Sequence, residues 1–336
     1  MLVVLQINVG SCAMRWSKRN ISFITILLIA CLCLPIWYFF GSFLLSMTFP
    51  SSVSENQYPH LSSAVLLWSE DGWIVMLDGA TRHKRKITKG RNPRWSPDGS
   101  RFVFTRKHDV WLMDNALSNP VKVVSGVITE YGTGAYWTET GNGITFIPRK
   151  NSRQVVQLDL KTGKTKIIHD ETQYPFKGYH LSQCAEVRLG GRYLLTFTTD
   201  SGHRSMIIDL QAGKYITNAF MRAGDCGPAW SPDGVFIVMT RRIRASRNRP
   251  LYITFFDSEN GSLSDSKYFI GTKWCSDAAI SNDAKYVVYV SSGNVYMCNV
   301  SDVLAGKKES YQLTSSGKGA GPSLYIFPET IPESLR

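Results

Sequence analysis

The chain has 336 residues, 43% of them apolar and 12% aromatic, and a formal net charge of +12. That apolar content excludes an intrinsically disordered protein, and 27 glycines without a Gly-X-Y period exclude a collagen-like one. The positive balance favours anionic partners.

The elements begin with an N-terminal segment unlike the rest. Residues 1–20 hold Arg15, Lys18 and Arg19 and read as a short cytoplasmic tail, with Met14 as an alternative translation start. Residues 21–47 contain no charged side chain, a run longer than the roughly 20 residues that span a bilayer. By the positive-inside rule the basic residues keep the tail in the cytoplasm and everything after Met47 is exported. Two rivals fit less well. A cleaved signal peptide has an apolar core of about 7–15 residues. The lipobox-like Leu28-Ile29-Ala30-Cys31 is followed by further apolar residues where a lipoprotein turns polar. The expectation is one retained transmembrane helix, then a polar linker over residues 48–60 containing Pro50, Ser51, Ser52 and Asn56.

Beyond the linker a phrase repeats: Asn92-Pro93-Arg94-Trp95-Ser96-Pro97-Asp98-Gly99 and Gly227-Pro228-Ala229-Trp230-Ser231-Pro232-Asp233-Gly234. Ser-Pro-Asp-Gly is turn chemistry, since proline presets φ, Asp bonds the local backbone and Gly supplies positive φ. The apolar runs that follow, residues 101–106 and 235–240, read as buried strands. Degenerate copies place equivalent anchors at Trp95, Trp137, Val187, Trp230, Ile280 and Leu324, spaced 42, 50, 43, 50 and 44 residues apart. Such a period marks a propeller or solenoid. A second register agrees, because strands end in an acid or amide at Asp78, Asp114, Asp159, Asp209, Asp257 and Asn299.

Each repeat parses into strands a, b, c and d of a propeller blade. In blade two these are residues 93–96, 101–106, 110–114 and 121–125; in blade one only b, c and d are present, at residues 64–69, 73–78 and 85–88. A lone strand a at residues 321–326 supplies the missing piece, so joining the ends closes six blades and removes open edges. Residues 328–336 remain as a C-terminal tail.

With the phrase (N/G)PxWSPDG and a following strand that ends in Asp, residues 61–327 resemble the TolB-like family of six-bladed propellers built from WD-like repeats. The resemblance implies a binding scaffold and names no ligand. Blades three, four and six depart from the phrase in their turns.

The b-to-c and d-to-a loops share one face of a propeller. There they carry Arg106, Lys107, Arg149, Lys150 and the insertion with Arg241, Arg242, Arg244, Arg247 and Arg249. This basic face suits an acidic protein, an anionic polymer or lipid headgroups, or serves only solubility. Nucleic acid is a poor partner for an exported domain. A second group, His180, Cys184, Asp225, Cys226 and Cys275, falls at the starts of strands a and so near one mouth of the central channel. The cysteines there permit a disulfide, or burial as small hydrophobes. Those beyond the linker, Cys298 included, show no CxxC or CxxCH spacing, so no metal or cofactor is indicated. No Gly-x-Ser-x-Gly elbow occurs either. The expectation is a single-pass protein of a bacterial inner membrane, its propeller on the periplasmic side as a protein-binding or assembly scaffold rather than an enzyme. The alternative is a carbohydrate-active enzyme, such as a lyase on an anionic glycan, using the channel mouth.

Overall fold

The computed structural model describes residues 61–129, 134–173, 181–198, 204–216, 226–240, 250–264, 268–270, 275–307, 309–328 and 331–335. The expected membrane segment lies outside them; among the described residues no helix is long and apolar enough to cross a membrane.

The strands form six antiparallel sheets, one per blade. Blade two is Arg91–Trp95, Arg101–Arg106, Asp109–Asp114 and Val121–Ser125, paired in chain order. Blade one is closed from the far end of the chain: Gly319–Ile326 pairs with Ala64–Glu70, with Leu324 opposite Leu66. Trp73–Asp78 and Lys84–Lys89 complete it. The ring therefore has no free inner strand, as the sequence predicts.

Each strand b lies in the middle of a sheet that is itself packed between two neighbouring blades, so both its faces are covered. Tyr286–Ser291 of blade six and Phe236–Thr240 of blade five are buried at every position. This is why they read as continuous apolar runs instead of alternating ones. The core sits between blades: Val65, Leu67, Ile74 and Met76 of blade one meet Trp95, Phe102, Phe104 and Met113 of blade two. Phe102 is fully buried, and cutting it to alanine costs about 3–5 kcal/mol.

The repeated acids have structural work. Asp78, Asp159, Asp209 and Asp257 each accept backbone N–H groups two and three residues on, closing the c-to-d turns. Ser96 closes the a-to-b turn by donating to the Arg101 carbonyl at 2.9 Å and accepting from its N–H at 3.0 Å. Ser231 and Ser281 accept from Phe236 and Tyr286 in the same way.

One recurrent feature lies in the inner strands. Asn92, Cys184, Gly227, Asp277 and Gly321 hold the equivalent position in five blades, and all have φ between 47° and 62°. The pairing of strand a with strand b shifts register there. These are β-bulges, which bend the strand and re-aim the residues after it.

Candidate functional site in the central channel

The residue just before the anchor, two past the bulge in the five blades that have one, is Arg94, Tyr136, Glu186, Ala229, Ala279 and Ser323 in blades two to six and one. All six line a cavity of about 270 Å³ in the channel. Its remaining wall comes from the ends of the same strands and their a-to-b turns, including Pro97, Trp137, Glu139, Pro232 and Tyr325.

Most polar groups in this wall are tied to a neighbouring blade. Glu186 accepts from the Arg188 guanidinium at 2.6 Å and from Trp230 N of blade five at 2.9 Å. Glu139 accepts from Gly190 N at 2.9 Å. The Asn282 amide donates to Ile326 O at 3.0 Å and accepts from Ile326 N at 2.7 Å, imitating one more rung of sheet between blades six and one. The Trp137 indole donates to Arg94 O at 2.9 Å. The channel wall is thus stitched blade to blade.

Arg94 differs. Its guanidinium carbon lies 4.1 Å from the Tyr136 ring centroid and Nη2 donates to Tyr136 Oη at 3.0 Å. Burial disfavours its charge, yet Tyr136, Glu186, Cys184 and Asp277 around it outweigh that and hold the pKa above its ordinary value. Burial lifts Asp277, against a hydrogen bond from Gly321 N and the field of Arg94. Burial also pushes the Cys184 thiol up to about 12, so it stays protonated and is no nucleophile.

Of the channel-mouth residues singled out from sequence, Cys184 lies beside Arg94 and Tyr136. Cys184, at the bulge of Leu181–Arg188, and Cys275, the first residue of Cys275–Ile280, are both buried, with no disulfide between them. Burial raises the Cys275 thiol as well. Cys226 opens its strand, Cys226–Trp230. His180, Asp225, Arg241, Arg242, Arg244, Arg247 and Arg249 lie outside the described residues. On the basic face, Lys107, Arg149 and Lys150 are exposed. Arg106 is engaged, bonding Lys89 O and Thr88 Oγ1 and lying 4.5 Å from the Trp111 ring centroid. Among the described residues no group of three or more His, Cys, Asp or Glu is placed to hold a metal ion.

The channel residues Arg94 and Tyr136 are missed by counting charge in loops. The available signal was the column before the anchor, where three large polar side chains interrupt small ones.

No protein-family profile matches the chain, and no curated protein does. Solved structures do. TolB from Acinetobacter baumannii superposes with a TM-score of 0.57 at 14% identity, over 79% of this chain and 67% of that one. The fold is that of TolB. A protein described as TolB from Agrobacterium tumefaciens gives a TM-score of 0.53 at 15% identity, over 79% of this chain and 99% of its own. An oligogalacturonate lyase in complex with manganese overlaps at 0.46, with 16% identity. At such identities the TolB likeness speaks for architecture, and function rests on this chain's own residues.

Proposed function

We propose that this chain is a membrane-anchored, exported binding module: residues 21–47 hold it in a bacterial inner membrane, and its TolB-like propeller grips a protein partner of net negative charge. The observation that carries this reading is the channel cavity, concave and lined by aromatic and proline residues with one cation, Arg94, left over. Sites of that make-up bind. The exposed Lys107, Arg149 and Lys150 on the opposite face support the anionic character of the partner.

The full-length chain should stay in the membrane through an alkaline carbonate wash. Extracted in detergent and used as bait at low salt, it should retain an acidic partner. Replacing Lys107, Arg149 and Lys150 together by Ser, or raising salt to about 0.5 M, should release that partner, because exposed charges are screened beyond about 3–8 Å in this range. Retention through both treatments would move the contact off the basic face, and loss from the membrane would remove the anchor.

A further inference from the structure

We propose that the central channel is a carboxylate-recognition site, in which Arg94 receives the carboxylate of a short apolar chain end or side chain entering between the a-to-b turns. The proposal rests on the reading of the chain as a binding module and names what its channel binds.

The donor count comes first. A guanidinium has five N–H donors, and the described structure gives Arg94 one side-chain acceptor, Tyr136 Oη at 3.0 Å. Stacking on the Tyr136 ring, with 4.1 Å from guanidinium carbon to centroid, fixes the plane of the fork. The other charged side chains lining the cavity are committed: Arg188 to Glu186, Glu186 also to Trp230 N, and Glu139 to Gly190 N. Arg188 has a buried Nε without a partner but is neutralised by Glu186, whereas Arg94 lines the cavity with no ion pair to a carboxylate among the described residues.

Charge points the same way. The nearby Asp277 is a weak competitor, because burial raises its pKa and its carboxylate already accepts from Gly321 N. Arg94 itself stays charged.

Size and chemistry narrow the ligand. A cavity of about 270 Å³ is below the roughly 300–1,000 Å³ of sites that enclose a whole small molecule, so it suits the end of a larger partner. A single planar fork matches a carboxylate bidentately, and one unneutralised cation balances a carboxylate's single charge but not the two of a phosphate dianion. Pro97, Pro232, Ile280 and Leu324 in the wall ask for an apolar neighbour to that carboxylate.

The test uses the detergent-purified full-length chain with 3-phenylpropionate and its uncharged amide as probes, read by calorimetry and by the fluorescence of the channel tryptophans. The acid should bind in the millimolar range, and the amide at least about tenfold more weakly, the difference a charge-assisted pair makes. Arg94→Gln should abolish that preference, Arg94→Lys should keep part of it, and Asp277→Asn should strengthen it. Should Arg94→Gln not fold, Tyr136→Phe decides: it frees one guanidinium donor and should bind the acid at least as well as wild type. N-acetylphenylalanine and N-acetylaspartyl-phenylalaninamide then distinguish a chain terminus from an acidic side chain.

Equal binding of acid and amide, no binding of the acid up to about 10 mM, an undiminished preference in Arg94→Gln, or loss of the acid in Tyr136→Phe would each overturn the proposal. Failure of the basic-face substitutions to release a partner, with acid binding intact, would instead count against the anionic-face reading and leave the channel site standing.

Discussion

Asp277 shows what a residue in the channel costs and contributes. Burial lifts its carboxyl above the ordinary pKa, so the folded chain binds that proton more tightly than the unfolded one. Stability from this group is fully present below its unfolded pKa and is lost as pH rises through the raised folded value. Asp277→Asn keeps an acceptor for Gly321 N and carries no charge. It should melt at or above wild type at about pH 7, with the difference fading toward about pH 4, where the wild-type acid is itself protonated. Thermal melts across that range check this, and a variant melting several degrees lower at neutral pH would contradict it. At this scale the sequence was least legible. Asp98 is recognisable as a turn former, and the acids from Asp78 to Asp257 as marks of the repeat whose turn-closing role the structure adds. Arg94 and Tyr136 occupy a column whose meaning depends on which way strand a faces, and no motif marks that direction.

Elements were legible where packing is symmetric and less so where the backbone departs from it. The b and c strands match their sequence limits within a residue, since burial on both faces demands an unbroken apolar run. Strands a were placed two residues late: Arg91–Trp95 and Gly319–Ile326 begin before the expected residues 93 and 321. The cause is the left-handed residue in each, Asn92 and Gly321, whose proline neighbours read as a turn. The a-to-b turns also carry tertiary load. Gly99 has φ +67°, and a Cβ there would meet the Tyr325 ring of the closing strand at 2.3 Å; at Gly72, with φ +78°, a Cβ would meet nothing within 4 Å. Alanine at either position bears the left-handed penalty of about 1–2 kcal/mol. Gly99→Ala adds an overpacking cost of about 1–3 kcal/mol. Urea unfolding should therefore separate the two variants by at least about 1 kcal/mol, and equal losses would mean that Tyr325 moves aside freely.

At the scale of the whole molecule, closure was readable because blade one lacked a strand and the C-terminus offered one. Removing residues from 319 onward would strip the partner from Ala64–Glu70 and uncover Leu66 and Trp68. It would also remove Phe327, Ile331 and Leu335 from the cluster around Trp95. That loss should consume most of a stability typically about 5–15 kcal/mol. The truncated chain should melt far lower, and an unchanged melting temperature would mean the ring closes otherwise. The tail's role was not visible beforehand, since Ile331 and Leu335 are isolated apolar residues in a short polar stretch. They are nonetheless buried, and Ser334 Oγ donates to Asn115 O at 2.8 Å.

A photoreactive residue placed in the full-length chain within its own membrane tests the binding-module account most directly. Pro97 lines the channel cavity and is exposed, Lys107 stands on the basic face, and Val121 and Ile167, 62% and 51% exposed, mark the outer rim. Illumination should yield a protein adduct from the position of Pro97 and from that of Lys107, and none from Val121 or Ile167. Adducts confined to the rim positions would contradict the account, because the partner would then be held by blade edges while the channel stayed open.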